Sequence, residues 1–368
     1  MIIGYLILIF FLAISYFLLL KKYGILWKVL PSNQKIGTFE QSNSSVSILI
    51  PFRNEDSVLP RLIDSLNQLD VTQIHVEVVF INDHSTDSSC DLLDGCNLPY
   101  KICHLDEKHG KKSAIEMGWN VSKGDFIFQT DADCTLPKKW LKSMLRSFDK
   151  SEVTFVSGPV MFNDSKSFWQ KLVALDFMSL IAIGAAHISW DKPLLCNGAN
   201  MAYRRSLVNK ADIHNVQASG DDVFLLQSAS KQYKAIRFCK NKQAIVQTQG
   251  PSSLTIFWNQ RLRWSSKNSD YDSTFNTMLL VGIWMFNCVI LMSLFSFHKL
   301  GILAACFLFI IKILAEQSFY SQYKDFMNIK NGYWLIMVGQ LFHVFYMAIL
   351  PPLSQILENF HHSQSPRP

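Results

Sequence analysis

The 368 residues are 49% hydrophobic and 17% charged, too apolar and too unevenly distributed for a plain soluble enzyme. Lys and Arg (35) outnumber Asp and Glu (29), for a net charge of +6, but they are dispersed and carry no nucleic-acid fold signature. This argues against a nucleic-acid partner and for a basic face against anionic lipid headgroups. The eight cysteines form no C-x-x-C pair and have no His at finger spacing, so they read as reduced cytosolic or membrane-packed thiols.

Residues 2–20 are uncharged and run directly into Lys21 and Lys22. About 20 apolar residues span a bilayer core, so a transmembrane helix is predicted within residues 1–22. A cleaved signal peptide is the alternative; the lack of a basic start and of a small-residue cleavage site argues against it. A polar stretch over about 40–270 then offers enough chain for one α/β domain.

Within it, Val46–Ile50 reads as a strand, and Pro51–Glu55 as the opening of a helix carrying Leu59, Leu62, Ile63, Leu66 and Leu69 at helical spacing. A strand is predicted over Val76–Ile81. Ser85, Thr86 and Asp87 in the following turn are helix N-cap types, predicting another helix. Then come a strand near Tyr100–Cys103, the loop His104–Lys112, a helix, and a strand over Asp125–Gln129. Strands alternating with helices imply a mostly parallel sheet with sites at the strand ends.

Residues 167–187, broken by Asp176, read as an amphipathic helix lying in the membrane interface rather than crossing it, as do residues 252–266. The lone His187 is expected to be structural. A block at 277–354 holds three further spans, 278–297, 299–315 and 333–353, making about four with the first. Lys21, Lys22 and Lys28, with Lys324 and Lys330 in a loop over 316–332, put the central domain on the cytoplasmic side and both termini outside.

Three groups of residues point to chemistry. Asp131 and Asp133 stand two apart where a strand ends, so in extended chain both carboxylates face one point. Hard oxygen ligands of this kind suit Mg2+ or Mn2+ bridging the phosphates of a nucleotide diphosphate. Asp221 and Asp222 offer a general base for an attacking hydroxyl. Gln260, Arg263 and Trp264, in Q-R-L-R-W, share one helix face; Arg suits diphosphate and Trp offers a flat apolar surface to a sugar ring. Phe257, Trp258 and Arg261 read instead as an interfacial anchor.

The ordered series V-V-F-I-N-D-H-S-T-D, F-I-F-Q-T-D-A-D, A-S-G-D-D and Q-R-L-R-W resembles the family 2 glycosyltransferases over residues 46–265, in particular the membrane-embedded branch marked by Q-x-x-R-W. The resemblance implies the GT-A fold, a Rossmann-like α/β domain for a nucleotide sugar, tied to the spans by interfacial helices. The family usually has two acids before G-S-T-D; here Asn82 replaces the first, Asp83 keeps the second, and His84 replaces the Gly. Asp83 is thus implied to bind the donor base, or else is a turn former.

Lys111, in H-G-K-K-S-A-I-E-M-G, matches the family's G-K-x-x-A-x-N-x-G segment and is implied to meet phosphate, with Gly110 allowing close backbone approach. Glu116 stands where the family often has Asn. Glu55, Asp131 and Arg263 join Asp83 and Lys111 on the donor side; Gly198 and Asn200, with Gln260 and Trp264, fall on the acceptor side. Asp222 aligns with the family's last acid and is implied to be the base, with Asp221 orienting it; the reverse assignment stays open.

The expectation is a cell-membrane, inverting glycosyltransferase that takes a nucleotide-diphosphate sugar and a lipid, lipid-linked or polysaccharide acceptor. A processive polysaccharide synthase is the alternative, and export partners are not legible. A GT-A-fold nucleotidyltransferase has no need of Q-x-x-R-W and usually carries a Gly-rich N-terminal loop, absent here. A catalytically silent membrane binding protein should have lost one of Asp131, Asp133, Asp222 or Arg263.

Overall fold

The computed structural model describes residues 2–32, 44–107, 109–163, 167–207, 221–233, 235–265, 273–329 and 332–364. Lys330, the tail residues 365–368 and the side chain of Asp221 lie outside the described residues. The chain divides into two compact units. One comprises Val29–Ser165 and Phe177–Gly250; the other comprises Met1–Lys28, Lys166–Asp176 and Pro251–Pro368.

Among the described residues, the first unit has nine strands: β1 (Ser44–Phe52), β2 (Ile74–Asn82), β3 (Tyr100–His104), β4 (Phe126–Gln129), β5 (Phe155–Ser157), β6 (Val160–Phe162), β7 (Met201–Arg204), β8 (Ile236–Phe238) and β9 (Val246–Thr248). Seven of them form one sheet in the order β3-β2-β1-β4-β7-β5-β8. It is parallel except for β7, which runs antiparallel to both neighbours. Strands buried on both faces need near-continuous apolar runs, which is what V-S-I-L-I and V-V-F-I supply. β6 and β9 pair separately in parallel, and a bridge between Thr135 and Gln247 ties the chain after β4 to them. The chain winds from β1 outward to β2 and β3 on one side and to β4 on the other. The crevice beyond the carboxyl ends of β1, β2 and β4 is therefore the topological switch point where α/β sheets bind ligands.

Two predicted helices differ. Pro51 and Phe52 complete β1 rather than open a helix, Asn54 turns the chain at φ 53°, and the helix starts at Leu59. No α-helix follows Asp83–Asp87 either; the segment leads into a 3-10 turn at Asp91–Gly95. The cap-type side chains there serve a neighbouring loop: Ser85, Ser89 and Asp87 accept from the backbone N–H groups of Asn54, Glu55 and Asp56 at 3.0, 2.8 and 3.1 Å. In return the Asn54 side chain accepts from Thr86 N–H at 2.8 Å.

In the second unit the first helix runs Ile2–Val29, well past Lys22, because Tyr23 and Trp27 continue its buried face. Trp27 meets Tyr323 and Phe326 edge-on, and Tyr16 stacks on Phe286 at 4.2 Å. Helices follow at Thr274–Leu294, Lys299–Met327 and Gly332–Gln364. The predicted loop from 316 is thus helical to Met327, carrying Lys324 in its last turn.

Among the described residues, five helices, including Phe168–Ser189, are long and apolar enough to cross a membrane, one more than the sequence suggested. Among the described residues, polar side chains inside this unit join three of its helices. Lys312, wholly buried, donates to Glu316 and to Tyr16 Oη (3.1 Å), and Glu316 also accepts from Tyr16 (2.9 Å) and Gln340.

Candidate active site

The strand ends of the sheet unit gather most of the predicted donor-side residues. Asp131 and Asp133 follow β4, but not as extended chain: Cys134 N–H donates to Asp131 O at 3.2 Å, closing a turn. The turn, rather than strand alternation, sets the two carboxylates side by side. Asp133 Oδ2 accepts from Thr248 Oγ1 at 2.7 Å, fixing that carboxylate against β9. Burial pushes the Asp133 carboxyl above its ordinary pKa, and the charge on Asp131 adds to the rise. Glu55 is raised as well, by burial and then by Asp133 and Asp131. Three acids crowded into one field, all with oxygen donors, suit a hard divalent cation: its charge would relieve the repulsion that raises two of them.

Lys111 opens the helix Lys111–Val121 behind Gly110, whose φ of 92° favours glycine, and its ammonium is paired with Asp131. Gly198 lies across from it. A Cβ there would sit 3.2 Å from Lys111 Nζ and 3.5 Å from Asp222 Cβ, so only a residue without a side chain leaves this point open. Gly198 N–H donates to Asp222 Oδ2 at 3.1 Å, and the Asp222 carbonyl accepts from Cys196 Sγ. Asp222 stands in the first turn of the helix Asp221–Tyr233. Glu55, Lys111, Asp131, Asp133, Gly198 and Asp222 therefore belong to one constellation.

Asp83 borders it. Its N–H donates to Phe52 O, and its Oδ2 accepts from Gly110 N–H at 2.9 Å. Burial alone would raise this carboxyl, but the hydrogen bonds from His84 and Gly110 bring it below the usual range. The bond to Asp83, and then the carbonyl of Asp106, raise the His84 imidazole above its ordinary value. Asn82, the departure from the two-acid pattern, has a structural use: its carbonyl accepts from Ser85 N–H at 2.9 Å and its amide meets His104 Nδ1 at 3.1 Å. His84 and His109 gather at Asp83 to form an Asp-His-His cluster. The sequence flagged His84 only as a lost glycine and did not flag His109.

Asn200, expected on the acceptor side, is instead an internal brace. It is fully buried, donates to Pro159 O and Ala244 O at 2.8 Å each, and accepts from Trp140 Nε1 at 2.9 Å. Gly158 leaves it room, since a Cβ there would fall 2.3 Å from its amide. His187 is buried with Nδ1 on Lys192 O, consistent with a structural role.

Gln260, Arg263 and Trp264 lie on the helix Leu254–Ser265 of the other unit, with Arg263 exposed. On the opposite face Arg261 is 3% exposed and paired with Asp176, which also accepts from Tyr346. The Arg261 guanidinium lies 4.5 Å from the Trp264 ring centroid, so one face of that ring is covered from within. Arg261 is thus a buried anchor through an ion pair, not only an interfacial cation. Asp176, Lys312 and Glu316 were missed as partners; the four-residue spacing of Lys312 and Glu316 was the available signal.

Residues 47–211 match the family model described as glycosyl transferase family 2. The chain is 26% identical over 233 residues to "Probable glycosyltransferase YdaM" of Bacillus subtilis, a match covering 61% of this chain and 55% of that protein. It is 30% identical over 169 residues to the undecaprenyl-phosphate 4-deoxy-4-formamido-L-arabinose transferase of Yersinia pestis, covering 44% of this chain and 50% of that one. The chain thus spans about half the length of these curated relatives. Among solved structures, a mannosyltransferase from Pyrobaculum calidifontis in complex with GDP-Man and Mn2+ matches 97% of both chains, with a TM-score of 0.53 at 14% identity. A likeness at that identity shows the fold alone, and the fold is GT-A.

Proposed function

We propose, from the family 2 glycosyltransferase domain that the chain carries over residues 47–211, that it is a membrane-bound inverting glycosyltransferase using a nucleotide-diphosphate sugar. The observation that carries this reading is the constellation in which Lys111 and Asp222 flank the open point at Gly198, Lys111 pairs with Asp131, and Asp131, Asp133 and Glu55 share one electrostatic field. Asp131 and Asp133 would hold Mg2+ or Mn2+, whose charge, when bound, stabilises the departing diphosphate.

Lys111 supplies a point charge to the phosphates, leaving Asp131 when they arrive. Asp83 and Glu55 border the donor, and Arg263 is proposed to meet its diphosphate. Asp222 takes the proton from the acceptor hydroxyl as that oxygen attacks the anomeric carbon opposite the leaving diphosphate, which inverts the centre. The Gly198 N–H on Oδ2 orients this base; Asp221 is the alternative base, and otherwise assists it. Gly198, Gln260 and Trp264 are proposed for the acceptor side.

The acceptor is proposed to be a membrane lipid or lipid-linked sugar, at the cell membrane with the sheet unit cytoplasmic. The apolar helices and the lipid-phosphate transferases among the relatives support this. Q-R-L-R-W favours a second reading, polysaccharide extension. Membranes carrying the protein, supplied with radiolabelled donor, are expected to yield a label that extracts into organic solvent. A long polymer from the purified protein would overturn the single-transfer reading.

A further inference from the structure

We propose that Asp83, His84 and His109 form a transition-metal site of the zinc type, separate from the all-oxygen pair Asp131 and Asp133. His84 Nε2 lies 2.7 Å from the carbonyl of Asp106. A carbonyl only accepts, so that nitrogen carries a proton. Nδ1 then meets Asp83 Oδ1 at 3.0 Å either as the N–H of the charged ring or, in the neutral ring, as a lone pair facing a second lone pair. Two lone pairs at that distance repel unless a cation lies with them.

His109 brings its own Nδ1 to 3.6 Å from the same oxygen, too far for a hydrogen bond, with the two imidazole centroids 3.9 Å apart. Two imidazolium rings at that spacing would repel each other, whereas two neutral rings converging on one ion would not. All three donor atoms fall within 4.8 Å of one another. Tetrahedral zinc, with bonds of about 2.0–2.1 Å, sets neighbouring ligand atoms about 3.3 Å apart. The observed 3.0 and 3.6 Å bracket that value.

The surroundings fit the same assignment. Ligating histidines commonly place their far N–H on a carbonyl, as His84 does on Asp106. Gly110 N–H holds Asp83 Oδ2, leaving Oδ1 for the ion. His84 keeps its side chain at φ 58°, a backbone conformation that glycine adopts more easily. Two imidazoles and one carboxylate select Zn2+, Co2+ or Ni2+ over Mg2+. Three protein ligands, with His109 60% exposed, leave a fourth position for water or an anionic ligand. The site is defined by these side chains alone and holds whatever reaction the domain performs.

Cobalt titration of the chelator-treated full chain in detergent tests it, on an Asp131→Asn/Asp133→Asn background that removes the other carboxylates. One equivalent of Co2+ is expected to give the intense visible bands of tetrahedral cobalt, displaced by Zn2+. Affinity should fall at least about tenfold in His84→Gly and in His109→Gln. His84→Gly suits the left-handed backbone, and His109 is exposed, so both variants are expected to fold. Bands absent from the parent, or unchanged in both variants, would overturn the site and leave a proton as the cation between His84 and Asp83.

Discussion

Asp133→Asn is expected to lower metal-dependent nucleotide release on the order of 100- to 1,000-fold, with Asp131→Asn close behind. Asp133 is held rigidly by Thr248 and is raised by burial and by Asp131, so its charge is tolerated at a cost that a cation would remove. The amide keeps the shape and the Thr248 contact but supplies no charge, so metal affinity should fall with activity. Saturating Mn2+ should restore part of the Asp131→Asn activity and less of the Asp133→Asn activity, since Asp131 already shares its carboxylate with Lys111. The check is Mn2+ affinity by paramagnetic resonance beside the rate of release. Unchanged Mn2+ affinity in both variants would separate these acids from any metal.

Lys312→Met is expected to destabilise the helical unit by at most about 3–5 kcal/mol, because it leaves the half-buried Glu316 without its cation. The methionine fills much the same volume, so the loss is electrostatic rather than a cavity. Tyr16 and Gln340 remain as donors to Glu316 but carry no charge. The double variant Lys312→Met/Glu316→Leu should recover most of the loss, since removing both ions abolishes the desolvation cost of each. Thermal unfolding of detergent-solubilised protein measures both. Equal loss in the single and double variants would show that the pair is not coupled.

The sheet was legible because parallel strands covered on both faces must be apolar runs bounded by turn residues, as V-S-I-L-I, V-V-F-I and F-I-F are. β5, β6, β7, β8 and β9 were not, since three or four residues carry no period. The N-cap signal at Ser85–Asp87 was misread because Ser, Thr and Asp bond any nearby N–H. Here the N–H groups belong to residues 54–56, close only through the sheet. Asn200 failed for a similar reason: an amide beside Gly198 suits an acceptor or a buried brace equally well, and only tertiary contacts choose. Asp131 and Asp133 were legible by type, although a turn replaces the strand geometry inferred for them. The Arg261–Asp176 pair joins residues 85 apart, a distance no local pattern bridges.

The central claim is transfer from a nucleotide-diphosphate sugar with Asp222 as the base. Nucleotide release by the purified full chain, against UDP-, GDP- and dTDP-sugars with Mn2+ or Mg2+ beside Asp222→Asn, tests it most directly. Metal-dependent release from one donor, lost in the variant, is the predicted result. Release at the parental rate in Asp222→Asn, or silence across the panel with no nucleotide bound, would contradict it.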